Sequence, residues 1–385
     1  MKNNKSLMTI FLIVFIDLLG FGIILPLLPY IAEKYSANPF QIGLLTATYS
    51  FFQLISSPIL GKLSDRYGRK KLLIISQLGS TVGYLILGLA GNLPLLFLSR
   101  IIDGITGGNI SIAQAYIADV TTKRNRAKGM GIIGASFGLG FIFGPAIGGF
   151  LSRFSYAAPA YFATDVSLLS VLATVFFLKE TVDEKKAMTS PKIKLNLKEF
   201  QKILSIYSIG ILIVTFFVTN LAASIQQGNF ALWTQKTFNY GPAENGWLFA
   251  YIGIIAVFVQ LKVLPFLIIK FKEKTILYIS LFLMFIGLSL VPLSTHGNFL
   301  YVALFFLPFG YGLSSPTIQA LASENVPPEK YGETLGFLQS AGSLGRIIGP
   351  IIGGIIFQSF GKDNAFYFAG FIILALLVYS RLKLK

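Results

Sequence analysis

Twelve times along this 385-residue chain an apolar stretch passes that is long enough to cross a bilayer. A hydrocarbon core of ~30 Å needs about 20 mostly apolar residues per helix. The stretches are 7–31, 40–60, 72–91, 94–118, 128–151, 158–178, 204–232, 245–269, 275–293, 299–322, 331–357 and 364–381. Composition agrees: 54% of residues are hydrophobic, 12% are charged, and the mean hydropathy is +0.71. A soluble chain carries about 25% charged residues. The chain therefore reads as an all-α membrane protein, since a helix satisfies its own backbone groups in lipid. The first stretch is too long for the apolar core of a secretory leader and lacks a small-residue cleavage site, so it reads as a retained helix.

A net charge of +16 invites a nucleic-acid reading, but its distribution argues against one. With the N-terminus placed inside, Lys34, Arg153, Lys236 and Lys362 fall in outer loops, and Arg100 and Arg346 fall within helices. The other 26 of the 32 Lys and Arg lie on the inner side. This asymmetry is the positive-inside rule, and it places both termini in the cytoplasm, as in a bacterial inner membrane. The basic side also suits anionic lipid headgroups. Absent cysteine rules out disulfides and thiolate metal sites, and the single His296 rules out a multi-histidine site. No G-x-x-x-x-G-K-[ST] loop occurs, which speaks against direct ATP drive.

Residues 179–203 break the apolar rhythm with seven Lys, four acids and Pro191, and read as a cytoplasmic linker. The chain divides there into bundles 1–178 and 204–385, which repeat one another. At an offset of 205, Gly144-Pro145 matches Gly349-Pro350, and Gly148-Gly149 matches Gly353-Gly354. The same offset pairs Gln114 with Gln319, Asp119 with Glu324 and Gly131 with Gly336. Two six-helix halves that both start inside form a parallel repeat, and transporters built so rock their halves about a midplane site.

The loop after the second apolar stretch reads Gly61-Lys62-Leu63-Ser64-Asp65-Arg66-Tyr67-Gly68-Arg69-Lys70-Lys71. Gly61 permits close helix approach and Gly68 a tight turn. Asp65 can face the positive end of a helix, with the eleventh helix starting near Tyr331-Gly332. Arg69 can pair with Asp119, at the end of the fourth helix. Such a cluster would latch the cytoplasmic side. The plainer alternative is a basic loop that only sets topology.

This loop resembles motif A of the major facilitator superfamily. Asp17-Leu18-Leu19-Gly20 with Pro26 and Pro29 resembles the first-helix signature of its twelve-helix drug:proton antiporters. Arg100-Ile101-Ile102-Asp103-Gly104 resembles their motif B, and Gly140 to Pro145 with Gly148-Gly149 resembles motif C, the antiporter signature. The likeness spans the whole chain and is nearest to tetracycline-efflux pumps, through Gly104-Ile105-Thr106-Gly107 and Ala115 to Asp119. It implies two pseudo-symmetric six-helix bundles, alternating access, and a kinked, sealing fifth helix at Gly140, Gly144, Pro145 and Gly148. Those pumps carry acids in the third and ninth helices, where this chain has Gly83-Tyr84 and Met284-Phe285-Ile286. The resemblance therefore does not carry tetracycline-magnesium over as substrate. The second half has lost the latch acid, since Asp65 aligns with Ile269 and Gly68 with Lys272.

Charges inside the membrane cost ~2.5–3.5 kcal/mol at the helix centre, so each needs a partner or a task. Asp17 is read as the group that binds and releases the coupling proton. Arg100 and Asp103, three apart on one helix face, are read as a paired relay or as tuning the Asp17 site. The alternative for all three is a structural ion pair or interhelical hydrogen bond. Asp165 lies in the outer part of the sixth helix, and Lys262 near the end of the eighth reads as snorkelling.

By family analogy a substrate cavity lies between the halves. Its candidate polar liners are Gln53, Asn109, Gln114, Asn220, Gln226, Gln227 and Asn229, with Trp233 and Phe230 to stack on a ligand. Arg346 would pair across the halves or attract an anionic substrate group. Interhelical hydrogen bonding is the competing role for each polar residue.

The reading is a secondary active transporter, not an enzyme: a proton-coupled antiporter exporting small amphipathic organic compounds. It would need no cofactor beyond the proton and would work as a monomer among membrane lipids. The alternatives are export of an endogenous metabolite, siderophore or lipid, or a non-transporting receptor.

Overall fold

The computed structural model describes residues 2–121, 126–182, 207–327 and 331–384. The expected linker lies outside the described residues from 183 to its end. The helices are α1 (Lys2–Ile24), α2 (Leu28–Lys34), α3 (Pro39–Tyr67), α4 (Arg69–Leu89), α5 (Leu93–Thr106), α6 (Asn109–Val120), α7 (Arg126–Leu151) and α8 (Ala158–Phe177). They continue as α9 (Tyr207–Phe238), α10 (Pro242–Phe258), α11 (Leu264–Lys270), α12 (Glu273–Leu290), α13 (Gly297–Glu324), α14 (Tyr331–Phe360) and α15 (Asn364–Lys383). Among the described residues there is no strand, and twelve spans are long and apolar enough to cross a membrane.

Three stretches expected as single helices are interrupted. The first, 7–31, breaks after Ile24 and resumes as α2, because Pro26 offers no N–H to the turn. The fourth, 94–118, breaks at Gly107-Gly108 into α5 and α6. Carbonyls freed in lipid must find donors. Gln53 Nε2 donates to Gly107 O at 3.2 Å, Ser56 Oγ to Gly104 O at 2.8 Å, and Ser76 Oγ to Thr106 O. The eighth, 245–269, carries a π-helical turn at Val259–Val263 between α10 and α11. Pro265 follows directly in the first turn of α11, and its ring crowds the carbonyl four residues back.

The chain forms two compact units. One comprises Met1–Ala37, Thr48–Lys192 and Gly241–Ala250; the other comprises Asn38–Ala47, Ile193–Tyr240 and Tyr251–Lys385. In the first, α1 packs most extensively on α7 and also on α8, while α4 packs on α5 and α8. In the second, α9 packs most extensively on α14 and also on α15, while α12 packs on α13 and α15. Each pair in one unit has its counterpart in the other, as the offset of 205 expects.

Lipid tails are as apolar as the helices, so helix pairing rests on close packing rather than on water exclusion. Backbones can meet only where side chains are absent. A Cβ on Gly144 would stand 2.7 Å from the carbonyl carbon of Gly22, and one on Gly148 2.6 Å from Ile23 O. The repeat reproduces the arrangement: a Cβ on Gly349 would stand 2.7 Å from Leu221 O on α9. The ends of α3 and α10 join their units in the same way. Gly43 and Gly354 leave room for the carbonyls of Pro350 and Pro39, and Gly246 and Gly149 for those of Pro145 and Pro242.

Candidate functional site

Two groups of polar residues stand out, both in the first unit. The first is built on the loop between α3 and α4. Gly68 has φ +104°, a left-handed value that favours glycine, and it starts α4. The turn sends the Arg69 side chain back under α3. Its guanidinium pairs with Asp65 and donates to Asp119 Oδ2 at 3.0 Å, Ser64 Oγ at 2.6 Å and Gly61 O at 3.4 Å. The expected Arg69–Asp119 pair is thus present.

Gly61 plays a different part from the one expected. A Cβ there would lie 3.6 Å from Ser111 Oγ, an ordinary contact, so crowding does not require glycine. Its carbonyl is what the cluster uses, accepting from Arg69 and from Ser64 Oγ. The proposed partner of Asp65 at Tyr331-Gly332 concerns residues whose side chains lie outside the described set.

Sequence reasoning pooled Glu180 with the acids of the linker. The structure brings it to the N-terminus of α4, where its carboxylate accepts from the backbone N–H of Arg69 at 2.9 Å and of Lys70 at 3.1 Å. An anion there offsets the orphan donors and the dipole of the helix start. A Cβ on Gly68 would collide with Glu180 Oε2, so Gly68 serves both the turn and the seat. Thr181 Oγ1 completes the ring by donating to Asp119 Oδ2 at 3.0 Å. The missed signal was an acid placed directly after the sixth apolar stretch.

The second group lies within the spans of the same unit. Arg100 and Asp103 are 3% and 2% exposed, and Arg100 Nη1 donates to Asp103 Oδ2 at 3.1 Å. The guanidinium also stands 5.8 Å from the centre of the Tyr84 ring. Gly83 makes this possible, because a Cβ there would meet Asp103 Cβ at 2.9 Å. Tyr84, noted in the sequence only for standing where an acid was expected, is 4% exposed and lies within electrostatic reach of Asp17, Asp103 and Arg100.

Asp17 on α1 faces α8. Its Oδ1 accepts from Ser170 Oγ at 3.2 Å, while its Oδ2 is buried with no hydrogen-bond partner among the described residues. Ser170 Oγ itself accepts from Gln77 Nε2 at 2.7 Å, and Thr174 Oγ1 donates to Gln77 Oε1 at 2.9 Å. The chain Thr174–Gln77–Ser170–Asp17 therefore runs across α8, α4 and α1. Gln77, Ser170 and Thr174 went unread in the sequence because a single Gln or Ser in an apolar stretch carries no spacing signal.

Motif C packs on the same helix as Asp17. A Cβ on Gly140 would meet Leu18 at 2.9 Å, and one on Gly22 would meet Gly140 O at 2.6 Å. Helix α7 runs unbroken through Pro145.

The expected cavity liners divide. In the first unit Gln53 Nε2 is engaged by Tyr49 Oη at 2.8 Å and by Gly107 O, so it braces the α5–α6 break. Asn109 holds a buried Oδ1 with no partner among the described residues, and Gln114 is exposed on α6. In the second unit Asn220 meets Arg346, and Gln227 is exposed. Gln226 and Asn229 are buried. Trp233 and Phe230 are corrected: both are fully buried. Trp233 Nε1 donates to Asp363 Oδ1 at 2.7 Å, and its ring packs edge-on against Phe238 and Phe366. It fastens α9 to the start of α15 and has no face left for a ligand. Asp165 and Lys262 are exposed, and among the described residues no cluster of three or more His, Cys, Asp or Glu could hold a metal.

A family model described as Major Facilitator Superfamily matches residues 10–348 and again 212–384. The chain is 31% identical to the tetracycline resistance protein, class H, of Pasteurella multocida, covering 98% of this chain and 96% of that protein. It is 32% identical to multidrug resistance protein 2 of Bacillus subtilis, covering 97% and 94%. Among solved structures, the nucleoside transporter NupG matches with a TM-score of 0.82 at 13% identity, covering 99% of this chain and 100% of that one. The human organic anion transporter MFSD10 matches with a TM-score of 0.73 at 22% identity, covering 98% and 99%. At these identities the structural likeness is one of fold.

Proposed function

The chain belongs to the major facilitator superfamily, and on that premise we propose that it is a proton-coupled antiporter exporting small amphipathic organic compounds by alternating access. Relatives named for tetracycline and multidrug resistance, matched over nearly the full length of both chains, support export over the metabolite and receptor readings.

The observation that carries the coupling is Asp17. It stands within the first span, with one carboxylate oxygen bonded to Ser170 and the other buried with no hydrogen-bond partner among the described residues. Leaving a neutral hydroxyl unbonded costs about 1–3 kcal/mol, and burying a charge with one oxygen bare costs more. The dry arrangement therefore suits the protonated carboxyl. Water reaching Oδ2 would solvate the ionised form and let the proton leave. Arg100 and Asp103 already neutralise each other, which leaves Asp17 as the buried membrane acid, among the described residues, with no salt bridge. The motif C seam fixes its helix against α7, and the Arg69 cluster holds the base of the same unit.

The charge distribution of the loops supports both termini on the cytoplasmic face of a bacterial inner membrane. No cofactor enters the scheme, and one chain suffices for it. The test is Asp17→Asn in proteoliposomes. Proton-driven transport is expected to vanish while the protein inserts and unfolds as the parent does; retained full activity refutes the assignment.

A further inference from the structure

Gln77, Ser170 and Thr174, the residues behind Asp17, are fully buried, and every polar atom of their side chains has a partner. Hydrogens and acceptors are not matched one to one, because a hydroxyl has a single hydrogen to give. Thr174 Oγ1 stands 2.9 Å from Gln77 Oε1 and also 2.9 Å from Ser170 O one turn back, so it has two acceptors for that hydrogen. Ser170 Oγ accepts from Gln77 Nε2 at 2.7 Å and gives its hydrogen to Asp17 Oδ1 at 3.2 Å. Its other acceptor, Ile13 O, lies at 3.5 Å, the limit of a bond.

This donor sense suits an ionised Asp17, whose oxygens only accept. The neutral acid needs the opposite sense. A proton on Oδ2 would have no acceptor among the described residues, whereas a proton on Oδ1 can be given to Ser170 Oγ. Ser170 must then give its own hydrogen elsewhere, and its nearest neighbour is the Gln77 amide. An amide carries an acceptor and donors on one carbon, so a half-turn about its last bond exchanges O and N in place. Ser170 then gives to Gln77 Oε1, Gln77 Nε2 gives to Thr174 Oγ1, and Thr174 turns its hydrogen to Ser170 O. Both hydroxyls keep an acceptor, and each contact uses a separation the structure already holds. The one bond made joins the arriving proton to Asp17 Oδ1, and no O–H or N–H bond of the other three residues breaks. Meanwhile the backbone under the amide stays tied, since Gln77 O accepts from Thr81 Oγ1 at 2.8 Å and from Ser167 Oγ at 3.3 Å.

We propose that Gln77 is a positioning residue for the coupling proton: its amide turns over when Asp17 is protonated, so that one serine hydroxyl serves both the carboxylate and the acid, with Thr174 taking up the slack. This inference rests on the reading of Asp17 as the proton site and adds how that site holds either form without stranding a hydroxyl. The titratable groups around Asp17 take no part in the exchange. They are Tyr84 on α4, Asp103 on α5 with its partner Arg100, and Tyr116, buried on α6. The α7 stretch 133–151 has no charged residue, and on α8 Tyr161 and Asp165 are exposed.

The test is an infrared difference titration of the full-length protein in liposomes, with its glutamines labelled by carbon-13 at the side-chain carbonyl and the proton as the only probe. Acidification should raise a carboxyl band that Asp17→Asn removes. With the same midpoint, one glutamine carbonyl band should shift, as Oε1 changes partner from Thr174 to Ser170, and return on raising the pH. That shift should be missing in Asp17→Asn and in Gln77→Met. Thr174→Val keeps Gln77 and the shape of the site, so it serves even if Gln77→Met fails to fold. It should keep the Asp17 carboxyl band and lose the glutamine shift, and Thr174→Ser should retain both. A Gln77 band that stays still while Asp17 titrates, or that shifts in Thr174→Val as in the parent, overturns the inference and leaves the proton site standing. A parent with no carboxyl band that Asp17→Asn removes overturns both.

Discussion

Two glycines ten residues apart on α7 should respond to the same substitution with opposite sign. Gly144 faces α1, and a Cβ there would lie 2.7 Å from Gly22 C, 2.8 Å from Gly22 Cα and 2.9 Å from Ile23 N. All three are backbone atoms, so no rotamer can relieve the overlap. Ordinary contact begins near 3.4 Å, and the helices must part by about half an ångström or more along a tightly packed pair, which at overpacked sites costs about 1–3 kcal/mol. Gly134 meets nothing within 4 Å. There Gly→Ala should be neutral or stabilising by up to about 1 kcal/mol. Gly144→Ala and Gly134→Ala should therefore differ by about 1–4 kcal/mol. For a bundle of this size that is several degrees of Tm, at about 2–4 °C per kcal/mol. Thermal unfolding of the purified variants, followed by loss of the monodisperse peak, reads it. The second half supplies a replicate, with Gly349 crowded by Leu221 O and Gly336 open. Equal melting of Gly144→Ala and Gly134→Ala would refute the view that motif C glycines are held by backbone contact.

Three further outcomes follow from the same geometry. Trp233→Phe removes the Asp363 hydrogen bond and keeps the ring packing, so stability should fall by about 1 kcal/mol with KM unchanged; a raised KM would restore the stacking role. Arg100→Gln strands a buried Asp103 and should destabilise by about 3–5 kcal/mol, whereas Arg100→Gln with Asp103→Asn should recover much of that, both read by denaturation midpoints. Glu180→Ala strips the N-terminus of α4 of its anion. Since Glu180 is exposed, the expected cost is about 1 kcal/mol, and it should shrink at high salt; a salt-independent effect would argue against the electrostatic account.

The spans, their number and the repeat were legible because each rests on many residues summed along the chain. The Arg69–Asp119 pair was legible for a different reason: Gly68 and the surrounding charges form a dense local pattern in an otherwise apolar sequence. What escaped was carried by single residues whose partners are remote. Glu180 lies 111 residues from Arg69, and Ser170 lies 153 from Asp17, so neither contact leaves a periodic trace. The break at Gly107-Gly108 was masked by the apolar residues on both sides, although paired glycines signal it. Trp233 misled because an aromatic beside polar residues reads alike whether it meets a ligand or a neighbouring helix, and only its full burial decides.

The seam between α1 and α7 also fixes a height. With Gly22 set between Gly140 and Gly144, backbone against backbone, sliding one helix past the other by a turn of about 5.4 Å would drive the Leu18 side chain, four residues back, into it. The two helices are keyed together like a ruler and its cursor locked at one mark. Asp17 consequently keeps its depth relative to Pro145, so on the proposed mechanism any change in its surroundings falls on the other flank, where the Ser170 and Gln77 hydrogen bonds could part and re-form without any helix leaving its register.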